Sequence, residues 1–207
     1  MTLSFVPGTV SAQRLIPGQR QLSFGGFGWY HFPMGDCANP TVYGGEVQLS
    51  FIGYGGNMFT RVSGMHSLQS DYRIADNADA GWSAGSCDLR DIDLFGSLGY
   101  MLDLAHSRSR GVNFWGGVSV DVGARIRRLA QKSATPVYGY PPASFLLGGS
   151  PELNLEFFLG RSCSLDFFVR AHMHWCAKPS VYSENSPEVW FYPQAGVKLG
   201  FNFFADR

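Results

Sequence analysis

Charge is scarce in this sequence. Of its 207 residues only 15% are Asp, Glu, Lys or Arg, against about 25% in ordinary soluble domains. The two signs balance, 16 against 16. There is no basic stripe of the kind nucleic-acid binding relies on, and no direct nucleic-acid binding is expected. Long hydrophobic runs are missing too, since nothing approaches the ~18 apolar residues of a membrane-spanning helix. The longest charge-free stretch, SATPVYGYPPASFLLGGSP, carries four prolines and cannot be helical. Cysteine is sparse: Cys37, Cys87, Cys163 and Cys176 have no CxxC spacing among them. That excludes a disulfide-dense scaffold and a zinc knuckle.

What the chain does have is glycine, 26 of them, and aromatic side chains, 15% of the total. Few charges with much glycine and many aromatics suit a β-rich protein whose outer surface need not be water-soluble. The residues support this when split by parity. In VWFYPQAGVKLGFNFF, Phe191, Pro193, Ala195, Val197, Leu199, Phe201 and Phe203 share one face, and Gln194, Gly196, Lys198, Gly200 and Asn202 the other. The same period of two runs through CSLDFFVRAHMHWC, FLLGGSPELNLEFF, VNFWGGVSVDVGARIR and DIDLFGSLGYMLDL. It is shorter or less clean in QLSFGGFGWYHF, YGGEVQLSF and NMFTRVSGMHSLQSDYR. Eight strands result.

Soluble strands average about 5–6 residues. Several of these alternate well beyond the ~9–11 that a tilted strand needs to cross a bilayer. The links alternate as well, long near 33–42, 74–88, 128–142 and 177–188, short near 53–57, 105–110 and 160–162. That asymmetry predicts an all-β, eight-stranded antiparallel up-and-down transmembrane barrel, with short periplasmic turns and long extracellular loops. The bacterial outer membrane is its expected location, and lipid its first partner. Aromatics at strand ends (Tyr30, Phe32, Trp175 and Phe191 above, Phe24, Phe157, Phe201 and Phe203 below) fit interfacial girdles. A soluble ligand-binding barrel is the competing fold, with the faces reversed.

In the membrane version the polar face turns inward. It carries Glu46, Arg61, Asp93, Asp103, Asp121, Arg125, Arg127, Glu152, Glu156, Asp166, Arg170, His172 and Lys198. The apolar face carries almost no ionisable group beyond His66. Both signs are present, so an interior ion-pair network is expected. Arg125, Arg127 and Arg128, beside Asp121, form either an anion site or partners for Asp91, Asp93 and Glu152. His172 and His174 lie two apart on one face, which allows a Ser/His/acid hydrolase, but no serine motif accompanies them. Two histidines without a third ligand do not make a metal site, and no cofactor is expected. Cys37 and Cys87 fall in the first two long loops and are candidates for an extracellular disulfide. Cys176 is a competing partner, and Cys163, at the opposite end, is expected to be free.

VSA before Gln13 reads as the small-residue end of a secretory signal. Residues 1–12 are therefore expected to be a signal remnant or a disordered N-terminus, and 13–207 the barrel domain. AQRLIPGQRQLSFGGF, followed by YGGEVQLSFIGYGGN, resembles the mature N-terminus of the TraO family. LLGGSPELNLEFFLGRSCSLDFFVRAHMHW and QAGVKLGFNF resemble that family's closing three strands in order and spacing. The resemblance implies a non-enzymatic outer-membrane component of a Bacteroides-type conjugative DNA-transfer apparatus, with other envelope proteins of that apparatus as partners. It implies no catalytic residues. A lipid- or lipopolysaccharide-modifying outer-membrane enzyme is the alternative.

Overall fold

The structure is a computed structural model that describes residues 19–29, 41–53, 55–74, 85–104, 111–131, 143–160, 162–177 and 188–203. Residues 1–12, Cys37, Tyr30 and Phe32 lie outside them, as does the side chain of Cys87, so the predicted leader and disulfide fall outside the described residues. Eight strands run in chain order: β1 Arg20–Trp29, β2 Thr41–Ile52, β3 Gly56–Ile74, β4 Gly85–Asp103, β5 Val112–Gln131, β6 Ser144–Phe158, β7 Cys163–Cys176 and β8 Glu188–Phe203. Each pairs antiparallel with the next, and β1 closes on β8 with Arg20 opposite Phe203 and Phe24 opposite Leu199. Closure leaves no strand edge, which is what a sheet inside lipid requires, because no water is there to satisfy unpaired N–H and C=O groups.

The parity faces are oriented inside out. Leu98, Val118 and Val189 on the exterior are 62%, 64% and 70% exposed, whereas Arg61, Arg125 and Lys198 in the interior are each 1% exposed. Water around such an exterior would be unfavourable at roughly 25 cal/mol per Å² of apolar surface. A hydrocarbon surround removes that cost. The soluble-barrel alternative is therefore corrected, since it needs the opposite orientation. Below, Phe24 and Phe203 are exposed and Phe24 meets Phe201 edge-on at 6.4 Å, while Phe191 is exposed above.

Three strands are longer than the sequence indicated. β3 and β4 have 19 residues each and β5 has 20, so the links expected at 74–88 and 128–142 begin late or end early. Pairing continues past the neighbouring strands: Cys87 stands opposite Gln131, while Ser144 at the start of β6 is already opposite Arg125. These strands rise above the rest at the long-loop end.

The glycines make the narrow lumen possible. Four inward phenylalanines each stand directly opposite an inward glycine on a neighbouring strand: Phe27 and Gly44, Phe59 and Gly99, Phe95 and Gly123, Phe168 and Gly196. A Cβ on Gly44, Gly99 or Gly196 would lie 2.3–2.6 Å from the facing ring. An eight-stranded barrel has room for side chains and little more, and these pairs set where the large ones go. Two apolar clusters result. Ile52, Phe59, Met101 and Trp115 fill the short-turn end. A larger group including Val42, Met65, Leu146, Trp190 and Tyr192 fills the long-loop end.

Candidate functional site in the barrel lumen

Between the two apolar clusters the inward polar residues form two layers. The lower one is an ion-pair network across the lumen. Glu152 on β6 accepts hydrogen bonds from Arg170 Nε and Arg61 Nη1, both at 2.7 Å, and from Lys198 Nζ at 3.0 Å. Glu46 on β2 takes both terminal nitrogens of Arg170, at 2.7 and 3.1 Å, and lies 3.9 Å from Arg61 Nε. Two carboxylates thus hold three cations contributed by β3, β7 and β8. Arg170 also stacks on Phe168 at 4.5 Å, with Lys198 over the same ring at 4.9 Å.

Glu156 and Asp166 are buried in the lumen as expected, but their roles differ from simple ion pairing. Glu156 accepts from Trp115 Nε1 at 2.9 Å and Gln21 Nε2 at 2.8 Å, both neutral donors. Lys198 reaches Glu152 and not its cross-strand neighbour Asp166. Asp166 Oδ1 is left buried without a hydrogen-bond partner among the described residues.

The upper layer holds Asp93, Asp121, Arg125, His172 and His174. Arg125 forks onto Asp93 through Nε and Nη2, each at 2.7 Å, and lies 3.5 Å from Asp91. Its guanidinium also sits over Trp190 and Tyr192 at 5.4 and 5.2 Å. This settles Arg125 as a partner of the carboxylates on β4, while the side chains of Arg127 and Arg128 fall outside the described ones. Asp121, grouped with those arginines in the sequence, pairs elsewhere. Its Oδ2 lies 2.7 Å from His172 Nδ1 and 3.1 Å from His174 Nε2, and its Oδ1 accepts from Ser119 at 3.1 Å.

Asp121 and the histidines belong to strands that do not pair, β5 and β7. The residue between them on β6 is Gly148, opposite Asp121 on one side and His174 on the other. A Cβ there would lie 2.5 Å from His174 Cδ2 and 2.3 Å from the Met173 carbonyl oxygen. Gly148 is therefore the gap through which the carboxylate and the imidazole meet. The sequence placed Gly148 on the inward face but could not show that meeting. The three side chains form the one His/Asp/Glu/Cys cluster with metal-ligand spacing among the described residues, supplying the third ligand that the two histidines lacked on paper.

The hydrolase reading required a histidine beside a serine and a carboxylate, with access for an acyl chain. His172 and His174 are both 0% exposed, with the Phe95 ring packed edge-on against each at 5.2 and 5.0 Å. An acyl chain from the bilayer has no approach to them through the described residues. Cys163 carries a free thiol as expected, and Cys176 is buried in the upper apolar cluster.

Closed, even-stranded, apolar outside and polar within, with both ends of the described chain at the short-turn rim, the fold is that of an outer-membrane barrel. No family model matches the chain. No curated protein matches it either. Solved structures to which it is similar include Neisserial surface protein A, at 11% identity over 89% of this chain and 96% of that one, with a TM-score of 0.42. Ail of Yersinia pestis, in complex with the heparin analogue sucrose octasulfate, gives 11% identity over 91% and 100%, with a TM-score of 0.45. The outer membrane protein OprG of Pseudomonas aeruginosa gives 11% over 91% and 97%, with a TM-score of 0.49. At these values none adds to what the chain's own geometry shows.

Proposed function

We propose that this barrel is a non-enzymatic envelope component of a conjugative DNA-transfer apparatus, serving as an anchor, scaffold or surface contact. The observation that carries the reading is the resemblance to the TraO family, in the segment from Ala12 to Phe27 and in the order and spacing of the last three strands. The lumen supports the passive role. Its ion-paired layer and its apolar clusters at both ends leave no bore for a nucleic acid, so contact must be made from the rims or the lipid-facing wall. Outer-membrane lipid and other envelope proteins of the apparatus are the partners on this reading.

The test is transfer frequency from a donor lacking the gene, with a plasmid-borne copy restoring it. A loss of transfer that the copy reverses is expected. Unchanged transfer would remove the barrel from the apparatus.

A further inference from the structure

Asp121 is a carboxylate enclosed in the lumen whose ion-pair partners among the described residues are both histidines. A buried carboxylate needs positive charge beside it. Two species could supply it here: a proton on one of the rings, or a metal cation among the three side chains. The geometry points to the second, a site for one zinc-class divalent transition-metal ion held by Asp121, His172 and His174.

One oxygen of Asp121 and one nitrogen of each ring lie within 4.8 Å of one another. Bond lengths of ~2.0–2.2 Å put two donors of one ion no more than about 4.4 Å apart, so side-chain shifts of under about 1 Å bring all three onto one ion. Two imidazoles and a carboxylate suit zinc and its first-row neighbours. They do not suit calcium or magnesium, which take oxygen ligands.

The other ring nitrogens give an independent indication. His172 Nε2 and His174 Nδ1 are buried without a hydrogen-bond partner among the described residues. His174 Nδ1 lies 3.9 Å from Asp93 Oδ2, and Asp93 is itself fixed by the Arg125 fork. A ligating histidine turns its second N–H toward a carboxylate that orients it, and Asp93 stands in that position. Without a metal, only an imidazolium at His174 turns an N–H to both Asp121 and Asp93, while a neutral ring donating to Asp121 faces Asp93 with a lone pair. With the metal on Nε2, the proton sits on Nδ1, toward Asp93. Gly148 completes the site by leaving the space between β5 and β7 open. Since both rings are fully enclosed beneath Phe95, the ion enters as the barrel closes, not afterwards.

The experiment refolds the full chain from denaturant into detergent micelles with Zn2+ present. Free metal is then stripped with a chelator, and zinc is counted per folded barrel by mass spectrometry. Gel mobility without heating scores folding. About one zinc per barrel is expected in the unsubstituted protein and in His66→Gln, which alters the lipid-facing histidine. His172→Gln and His174→Gln should each retain at least about tenfold less, since losing even an outer-shell partner costs about 10–100-fold in affinity. X-ray absorption at the zinc edge of the unsubstituted barrel should show two imidazoles and oxygen in the first shell, which keeps the test open if a variant fails to fold. A folded barrel that holds no zinc would overturn the site. So would equal retention by the histidine variants, or a first shell containing sulfur or a single imidazole. The proton-bridged arrangement would then hold instead.

Discussion

Glu152 and Glu156 stand four residues apart on the same inward face, yet their surroundings make them different in kind. Glu152 lies within 3.0 Å of cations from three strands. Replacing it with Gln leaves Glu46 as the one carboxylate in direct contact with Arg170 and Arg61 among the described residues, and Lys198 without its ion-pair partner. Breaking a buried ion pair in this way costs about 3–5 kcal/mol. Glu156 accepts only from neutral donors, so Glu156→Gln keeps one acceptor oxygen and strands no cation. Urea unfolding of the two variants in micelles should show Glu152→Gln strongly destabilised and Glu156→Gln by about 1 kcal/mol, the usual worth of one hydrogen bond. Equal losses would mean the network contributes by packing and not by charge. None of this difference is visible in the sequence, where both are glutamates on one polar face. Which carboxylate meets cations depends on β2, β3, β7 and β8 arriving at the same height in the lumen.

A strand of this barrel is defined by which of its faces meets lipid, and β5 shows the consequence. Val118 is 64% exposed near the middle of the wall, Ser119 beside it is buried, and Ile126 lies eight residues further toward the long-loop rim. Val118→Arg should cost about 2–4 kcal/mol, the midplane penalty for arginine on a lipid face, while Ile126→Arg falls to about 0–1 near the interface. Denaturant titration of folding into lipid vesicles would measure both. A Val118→Arg variant that folded as well as the unsubstituted protein would place that position outside the hydrocarbon layer. At this scale the sequence was highly legible, because alternation of side chains along a strand is local. It failed at strand ends. β3, β4 and β5 carry polar residues beyond the lipid layer, where hydropathy no longer alternates, and only the continued pairing of Leu89 with Leu129 and Arg90 with Arg128 shows that the strands go on.

For the whole molecule, the lumen is a stack: an apolar cluster at the short-turn end, the Glu46/Glu152 ion-pair layer, the Asp93/Asp121 layer, and a second apolar cluster with Trp190 stacked on Tyr192 at 6.1 Å. Such a lumen is a core and not a pore. Purified barrel in planar lipid bilayers should therefore give no steady conductance. A persistent ohmic channel would show that the stack opens as a unit, and would reopen the lumen as a route for small ions.

The sequence by itself determined the strand count, which residues share each strand's face and the alternation of link lengths, and it favoured the inside-out barrel over the soluble one that the burial of the charged face then excluded. These follow from a period of two and from the requirement that lipid meet apolar side chains. It also placed Glu46, Arg61, Asp93, Asp121, Arg125, Glu152, Glu156, Asp166, Arg170, His172 and Lys198 inside. The tertiary structure alone decided who meets whom within. Partners such as Arg61 and Glu152, or Asp121 and His174, are 91 and 53 residues apart and lie on strands that do not pair. Their contact depends on the stagger of the closed barrel, and at Gly148 on the absence of a side chain. Stagger is a property of the ring of eight strands together, and no single strand encodes it.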